Sequence, residues 1–171
     1  MLFRSALHES AAKFRDLWES SRDAQVLCFP PEFKLIGGNA AAVALFGARD
    51  ATHLASMSPG DLSPEHQPDG ELSATKAPRL HGQALSQGSA FFEWTHRRPD
   101  ETVFVAEVQL TRITLEGVTG VQASVRDITE RKVAEAELKR TSEALKEAQQ
   151  VGQIGSFEYL DRKSTRLNSS H

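Results

Sequence analysis

The stretch over residues 125–132 most constrains how this chain can fold. Immediately before it, apolar and polar residues alternate, which predicts a strand. Immediately after it, apolar residues recur at helical and heptad spacing through residues 134–148, which predicts a long polar helix. Thr129 is the expected N-cap of that helix, and Glu130 lies in its first turn, where a carboxylate is favourable. The chain is therefore expected to pass directly from a strand into a helix, and an ordinary strand-to-helix turn is the plainer alternative.

The composition sets limits on the class of protein. The chain has 171 residues, of which 39% are hydrophobic and 25% charged, which is typical of one soluble domain with appendages. A net charge of −3 gives no field that favours nucleic acid. The single cysteine, Cys28, excludes an internal disulfide and fits a reducing compartment, so we expect a cytoplasmic protein. No run approaches the roughly 18 apolar residues of a membrane span.

Residues 1–22 form the first segment, with an amphipathic helix predicted over residues 3–20. Its apolar positions fall three or four residues apart and are Phe3, Leu7, Ala11, Phe14, Leu17 and Trp18. Such a stripe must be covered by the following domain or by a second copy of the chain. The polar face has mixed charge, which disfavours a membrane-surface helix.

The middle of the chain alternates between strand and helix patterns. The predicted elements are strands over 24–29 and 33–36, helices over 40–46 and 73–87, and strands over 90–97, 102–113 and 121–127. Asn39 is the expected N-cap of the first of these helices. Pro78 lies inside the second, which therefore begins near Ala77 or is kinked there. Gly120 is expected to belong to the last turn.

Several motifs resemble those of PAS sensory domains, over roughly residues 12–132. They are the segment 14–20, Gly38-Asn39-Ala40-Ala41, Leu45-Phe46-Gly47, the segment 62–70, Phe92-Glu93-Trp94 and Arg126-Asp127-Ile128-Thr129. The resemblance implies an α+β fold, with a five-stranded antiparallel sheet and helices on one face. The predicted order of two strands, helices and three strands agrees with it. Asp100-Glu101 replaces the Asp-Gly that the family often has in one turn.

The resemblance also divides the chain into segments. Residues 23–130 correspond to the PAS domain, and residues 131–150 to a signalling helix that forms a coiled coil. Residues 151–162 resemble the start of a second, truncated PAS domain. Residues 163–171 resemble a translated cloning adaptor, so we expect them to take no part in the fold.

In function, the resemblance implies a sensor of bacterial signal transduction. Such a module senses a small ligand or a partner and relays its state through the C-terminal helix to an effector, most often a sensor histidine kinase of a two-component system. The alternatives are a ligand-free dimerisation module, or the input domain of a diguanylate cyclase or phosphodiesterase. No nucleophile–base arrangement or cluster of titratable residues supports an enzyme in this chain, and no ligand spacing indicates a metal site.

A ligand pocket is expected between the sheet and the helices, and its ligand is unknown. Small residues on the inner sheet face leave room there, and the candidate pocket residues are Leu45, Phe46, Leu80, Phe104, Ala106, Val108, Leu110, Val121, Ala123 and Val125. Heme is not expected; His81, which we take as a solvated residue of the helix surface, is the one candidate ligand for it. A photoactive flavin is not expected either, because Cys28 lies on the first strand rather than on the helical segment.

The C-terminal helix is expected to carry the signal and to mediate a homodimer. Ala134, Thr141 and Ala148 share one heptad position, and Leu138 and Leu145 share another, which forms a narrow seam for a two-stranded coiled coil. A solvated linker helix is the alternative. The candidate relay residues are Asp127, Ile128, Thr129, Leu138 and Leu145.

Overall fold

A computed structural model describes the backbone of residues 12–167 and the side chains of residues 12–152. The first helix, α1, covers residues 12–20, and the rest of its predicted span, residues 3–11, lies outside the described residues. The chain divides into two units after Thr129. The other elements are β1 (Ala24–Phe29), β2 (Lys34–Gly38), α2 (Ala40–Leu45), α3 (Ala51–Ser56), α4 (Ser73–Gln87), β3 (Ser89–Arg97), β4 (Val103–Leu115), β5 (Val118–Asp127) and α5 (Thr129–Leu167).

The five strands form one antiparallel sheet in the order β2-β1-β5-β4-β3. The last strand therefore lies at the centre, between β1 and β4. Helices α2, α3 and α4 connect β2 to β3 and contact the sheet. The predicted α+β architecture, with helices on one face of a five-stranded sheet, is confirmed.

The core lies between that sheet face and the helices. Alternate residues of β4 and β5 point into it, because successive side chains of a strand point to opposite faces. Its buried members from these strands are Phe104, Ala106, Val108, Leu110, Val121, Ala123 and Val125. The helices contribute Ala42, Leu54, Leu80 and Ala84, and the C-cap of α2 contributes Phe46. Burial of each large apolar side chain contributes about 1.5–3 kcal/mol, so this interface supplies most of the stability of the first unit.

The sequence context of Gly120 predicts a turn, and this prediction is wrong. It lies within β5, and the turn before that strand is formed by Glu116 and Gly117, whose φ angles are 49° and 81°. A Cβ atom at position 120 would lie 2.6 Å from the carbonyl oxygen of Cys28 on the neighbouring strand. Glycine is required there by the close approach of two backbones.

Between the two predicted helices the structure adds a third. It is α3, whose N-cap Asp50 accepts a hydrogen bond from the backbone N–H of His53 at 2.7 Å. The helix α4 begins at Ser73 and contains Pro78, and it ends at Gly88 in the left-handed conformation. The alternative prediction that this helix begins near Ala77, just before the proline, is therefore wrong.

The helix α5 runs without interruption from Thr129 to Leu167. It therefore covers residues 151–162 and the beginning of the segment 163–171, whose assignments to a second PAS domain and to an adaptor stay predictions. Residues 168–171 lie outside the described residues. None of the described helices is long and apolar enough to span a membrane.

Candidate functional site

A cavity of about 80 Å³ lies in the core, between the sheet and the helices. Four of the predicted pocket residues line it, namely Phe46, Val108, Ala123 and Val125. The other predicted residues Leu80, Phe104, Ala106, Leu110 and Val121 are buried in the core without lining the cavity. Leu45 is partly buried and packs against the core. The sequence pattern found the correct sheet face, but it missed the lining residues Val26, Cys28, Leu35, Pro59, Leu62, Ser63, Ala77, His81, Phe92, Trp94 and His96.

Two polar groups at the cavity wall, those of Trp94 and Ser63, are hydrogen-bonded within the protein. The indole Nε1–H of Trp94 donates to Oγ of Ser63 at 3.1 Å. The Ser63 hydroxyl in turn donates to the carbonyl oxygen of Pro59 at 2.8 Å. Their hydrogen-bond donors are therefore already used within the protein.

His81 is buried in the wall, contrary to its interpretation as a solvated surface residue. Its Nδ1 lies 2.7 Å from the carbonyl oxygen of Ala77, and its ring centroid lies 4.5 Å from that of Phe33. Burial lowers the pKa of the His81 imidazole, which favours the neutral form. Since a carbonyl oxygen only accepts, the proton is on Nδ1.

His96 is the second imidazole that lines the cavity. Its Nδ1 lies 3.1 Å from the carbonyl oxygen of Leu62, and its ring contacts Phe46 and Phe104, each at a centroid distance of 5.2 Å. Burial lowers the pKa of His96 to about 4. Among the described residues, its Nε2 is the one buried side-chain nitrogen or oxygen without a hydrogen-bond partner. The alternation of Ala90, Phe92 and Trp94 along β3 places His96 on the inner sheet face, but the predicted pocket does not include this strand.

The wall also contains Cys28, whose pKa is raised to about 12 by burial, so that its thiol stays protonated. The cysteine lies on β1 and not on a helix. The cavity is much smaller than the roughly 300–1,000 Å³ of pockets that hold drug-sized ligands. The space therefore fits neither a flavin nor a heme.

A second group of contacts lies where β5 passes into α5. Asp127 Oδ1 accepts a hydrogen bond from the backbone N–H of Thr129 at 2.8 Å. Oδ2 of the same carboxylate lies 3.6 Å from the guanidinium of Arg98. That guanidinium also donates from Nε to the carbonyl oxygen of Leu45 at 2.7 Å and lies 4.2 Å from the ring centroid of Phe104. Arg98 therefore joins the end of α2 to the start of α5.

The expected capping role of Thr129 is wrong. Thr129 is the first residue of α5, and its hydroxyl accepts a hydrogen bond from the backbone N–H of Val105 at 3.0 Å. The N–H of the buried Ile128 donates to the carbonyl oxygen of the same valine at 2.8 Å. The side chain that satisfies a backbone N–H at the start of the helix is that of Asp127. The junction is thus bonded to β4 as well as to β5.

Two apolar surfaces remain uncovered. The predicted seam residues of α5 are exposed, Leu138 at 72% and Leu145 at 59%. In the first unit, Phe14 and Leu17 of α1 are exposed at 68% and 73%, and Phe14 lines a groove with Leu115 on the outer side of the sheet. The first unit therefore leaves Phe14 and Leu17 of the N-terminal stripe largely uncovered, whereas Trp18 is half-buried.

The solved structures that match this fold include PAS domains, whereas no protein-family model and no curated protein matches the sequence. A PAS domain from a two-component sensor histidine kinase is 17% identical, with a TM-score of 0.55, covering 72% of this chain and 98% of its own. The PAS domain of an HTR-like protein from Haloarcula marismortui is 22% identical, with a TM-score of 0.59 and coverages of 73% and 97%. The PAS domain, in complex with ethanol, of a LuxR-family transcriptional regulator from Burkholderia thailandensis is 16% identical, with a TM-score of 0.51 and coverages of 67% and 96%.

Proposed function

The chain has the PAS fold, and on that premise we propose that residues 23–130 form a sensory module. The module binds a small molecule in its internal cavity and changes the start of α5 in response. The effector that α5 serves is a sensor histidine kinase in a longer cytoplasmic protein of a bacterial two-component system. The similarity to a PAS domain of such a kinase supports this choice over a diguanylate cyclase or phosphodiesterase.

One continuous set of contacts carries the proposal. His96 lines the cavity and stacks on Phe104, whose ring also contacts the guanidinium of Arg98. Arg98 faces the carboxylate of Asp127. This carboxylate accepts a hydrogen bond from the backbone N–H of Thr129, the first residue of α5. A ligand that displaces the His96 ring therefore moves groups that hold the start of the helix. Packed cores respond to such displacements by changing between discrete arrangements.

This coupling can be tested without knowing the ligand. Ala123→Leu adds three carbon atoms at the cavity wall and imitates an occupied cavity. We expect amide hydrogen exchange in residues 129–135 to change by about threefold or more in this variant, because the groups that hold the first turn of α5 shift. In the Arg98→Met background the same substitution should leave exchange in those residues unchanged.

The control is Gln122→Leu, which adds a leucine to the neighbouring position of β5 in the groove on the outer sheet side. It should leave exchange in residues 129–135 unaltered. Equal changes in the Gln122 and Ala123 variants, or a change that persists in Arg98→Met, would contradict the proposed route. Urea unfolding of each variant confirms that the comparison is made on folded protein.

A homodimer is the second element of the proposal. The exposed seam of α5, with Leu138 and Leu145, and the exposed Phe14 and Leu17 of α1 are apolar surfaces that a second copy of the chain can cover. The seam is narrow and its other positions are alanine and threonine, so that association through it is weak. A ligand-free dimerisation module is the alternative function that these surfaces favour.

The double variant Leu138→Asp with Leu145→Asp should raise the dissociation constant of the dimer at least tenfold, because each chain would bury two carboxylates in the seam. Sedimentation velocity over a range of concentrations measures the shift. Lys139→Ala with Lys146→Ala lowers the net charge by the same amount outside the seam and should leave association nearly unchanged. A similar loss in both double variants would point to charge rather than to a coiled coil.

A further inference from the structure

We propose that the cavity binds a small, neutral hydrogen-bond donor, such as a short-chain alcohol, whose hydroxyl donates to Nε2 of His96. This inference rests on the proposed function, because it names the ligand class of the same cavity. It is carried by the buried, unpartnered Nε2 of a histidine that lines an otherwise apolar space. Because this nitrogen has almost no accessible surface, the His96 ring must turn towards the ligand for the hydrogen bond to form, which is the displacement that the proposed function requires. A buried polar atom without a partner is costly, and a ligand that bonds to it removes that cost.

The wall needs a donor, and not an acceptor, from the ligand. The carbonyl oxygen of Leu62 faces Nδ1 of His96, so the proton of a neutral ring is on Nδ1 and Nε2 presents a lone pair. His81 has the same arrangement, with Nδ1 facing the carbonyl oxygen of Ala77. The donors of Ser63 and Trp94 are already used within the protein. The thiol of Cys28 is only a weak donor.

The ligand must also be neutral. Among the described residues that line the cavity there is no Asp, Glu, Lys or Arg. A charged ligand would lose its hydration without an opposite charge to replace it, which strongly opposes entry into an apolar space. Apart from the polar groups named above, the lining is aliphatic and aromatic, with Leu35, Phe46 and Val108 as examples. The wall therefore favours an apolar body that carries a single polar group.

The volume limits the size of that body. A cavity of about 150 Å³ in another protein holds benzene, with its six carbon atoms. In proportion, the 80 Å³ here holds roughly three to four non-hydrogen atoms. Ethanol and the propanols are of this size. Ligands this small bind weakly, so the test must report on binding at high ligand concentration.

Three probes with the same four-atom skeleton separate the alternatives in the full chain. They are 2-propanol, a neutral donor; propanone, a neutral acceptor; and the isopropylammonium ion, a charged donor. Methyl NMR signals of Val26, Val108 and Val125, which line the cavity, report on occupancy. We expect saturable shifts with 2-propanol at a dissociation constant about tenfold or more below that of propanone, and no saturable shift with isopropylammonium. Equal binding of 2-propanol and propanone, or no saturable shift with 2-propanol, would overturn the proposal.

Substitution of each imidazole tests which nitrogen accepts the bond. His96→Phe keeps a flat ring and removes the acceptor, so the affinity for 2-propanol should fall to that for propanone, whereas the affinity for propanone should not change. His81→Phe should reduce the 2-propanol affinity less than His96→Phe does. The opposite order would overturn the assignment to His96. If either variant fails to fold, the comparison of probes on the unsubstituted chain still decides the ligand class.

The outcome is separable from that of the proposed function. The hydrogen-exchange experiment with Ala123→Leu uses no ligand, so it reports on coupling between the cavity and α5 alone. A chain that shows this coupling but does not prefer 2-propanol retains the sensory function and refutes the ligand class. A chain that binds 2-propanol without the coupling retains the ligand class and refutes the relay.

Discussion

Replacement of Asn39 by alanine should lower the free energy of unfolding by about 4 kcal/mol. The residue is completely buried, and its amide makes four hydrogen bonds to the backbone. Its Oδ1 accepts from the N–H groups of Gln25 and Ala42 at 3.0 and 2.9 Å. Its Nδ2 donates to the carbonyl oxygens of Trp18 and Asp23 at 3.1 and 3.0 Å. Alanine would leave these groups without a partner, and each buried group left so costs about 1–3 kcal/mol.

Urea unfolding of the full chain measures this loss, and Asp50→Ala is the matched control. Asp50 is also an N-cap, but its side chain is bonded to one exposed backbone N–H, that of His53. Its replacement should cost only about 1 kcal/mol, as for an ordinary cap. If both variants lose the same stability, Asn39 contributes only as a helix cap. A selective loss of stability at Asn39 would show that α1, β1 and α2 depend on one side chain.

Acidification from pH 6.5 to about pH 4 should remove about 3 kcal/mol of stability through His96. The folded-state pKa of His96, about 4, lies below the ordinary value of 6.5, so the unfolded chain takes up the proton first. The stabilisation is therefore complete above pH 6.5 and is lost as the pH falls towards the folded-state pKa. His81, whose pKa is also lowered by burial, adds to the loss in the same direction. Carboxylates with lowered pKa values, such as Asp61, act mainly at lower pH.

Urea unfolding at pH 7.0 and pH 5.0 tests this linkage. In His96→Phe the difference in stability between these two pH values should be clearly smaller than in the unsubstituted chain, because the titrating group is gone. His66→Gln, which removes an exposed histidine, should leave the difference nearly unchanged. An identical pH dependence in His96→Phe and in the unsubstituted chain would show that the imidazole is not held in a neutral state by the fold.

Much of the fold follows from local patterns. The alternation in β4 and β5 identified the inner sheet face, because one face of each strand is buried and a period of two is unambiguous there. Asn39 before an alanine-rich run predicts the start of α2, and the helix predicted over 73–87 ends where α4 does, before the left-handed Gly88. Each of these signals arises from the conformation of the segment that contains it.

The parts that sequence reasoning missed depend on contacts between distant segments. His96 is absent from the predicted pocket residues, and nothing near it in the sequence indicates that Leu62, 34 residues earlier, supplies a carbonyl partner. The hydroxyl of Thr129 was assigned to the helix, but it accepts from Val105 of β4, 24 residues away. Gly120 was assigned to a turn because the backbone of Cys28, which excludes a side chain there, is far away in sequence. Capping and turn rules describe neighbours along the chain and carry no information on such partners.

The central position of β5 has a consequence for how the chain acquires its structure during synthesis. The hairpins β1–β2 and β3–β4 do not pair with each other, and only β5 joins them, through β1 on one side and β4 on the other. A nascent chain that ends before Val118 therefore cannot complete the sheet, and its two hairpins expose the edges that β5 later covers. Because β1 and β5 are about 100 residues apart, their pairing requires closure of a long loop, which is slow. The complete sheet thus forms late and cooperatively, once all of β5, up to residue 127, has emerged from the ribosome.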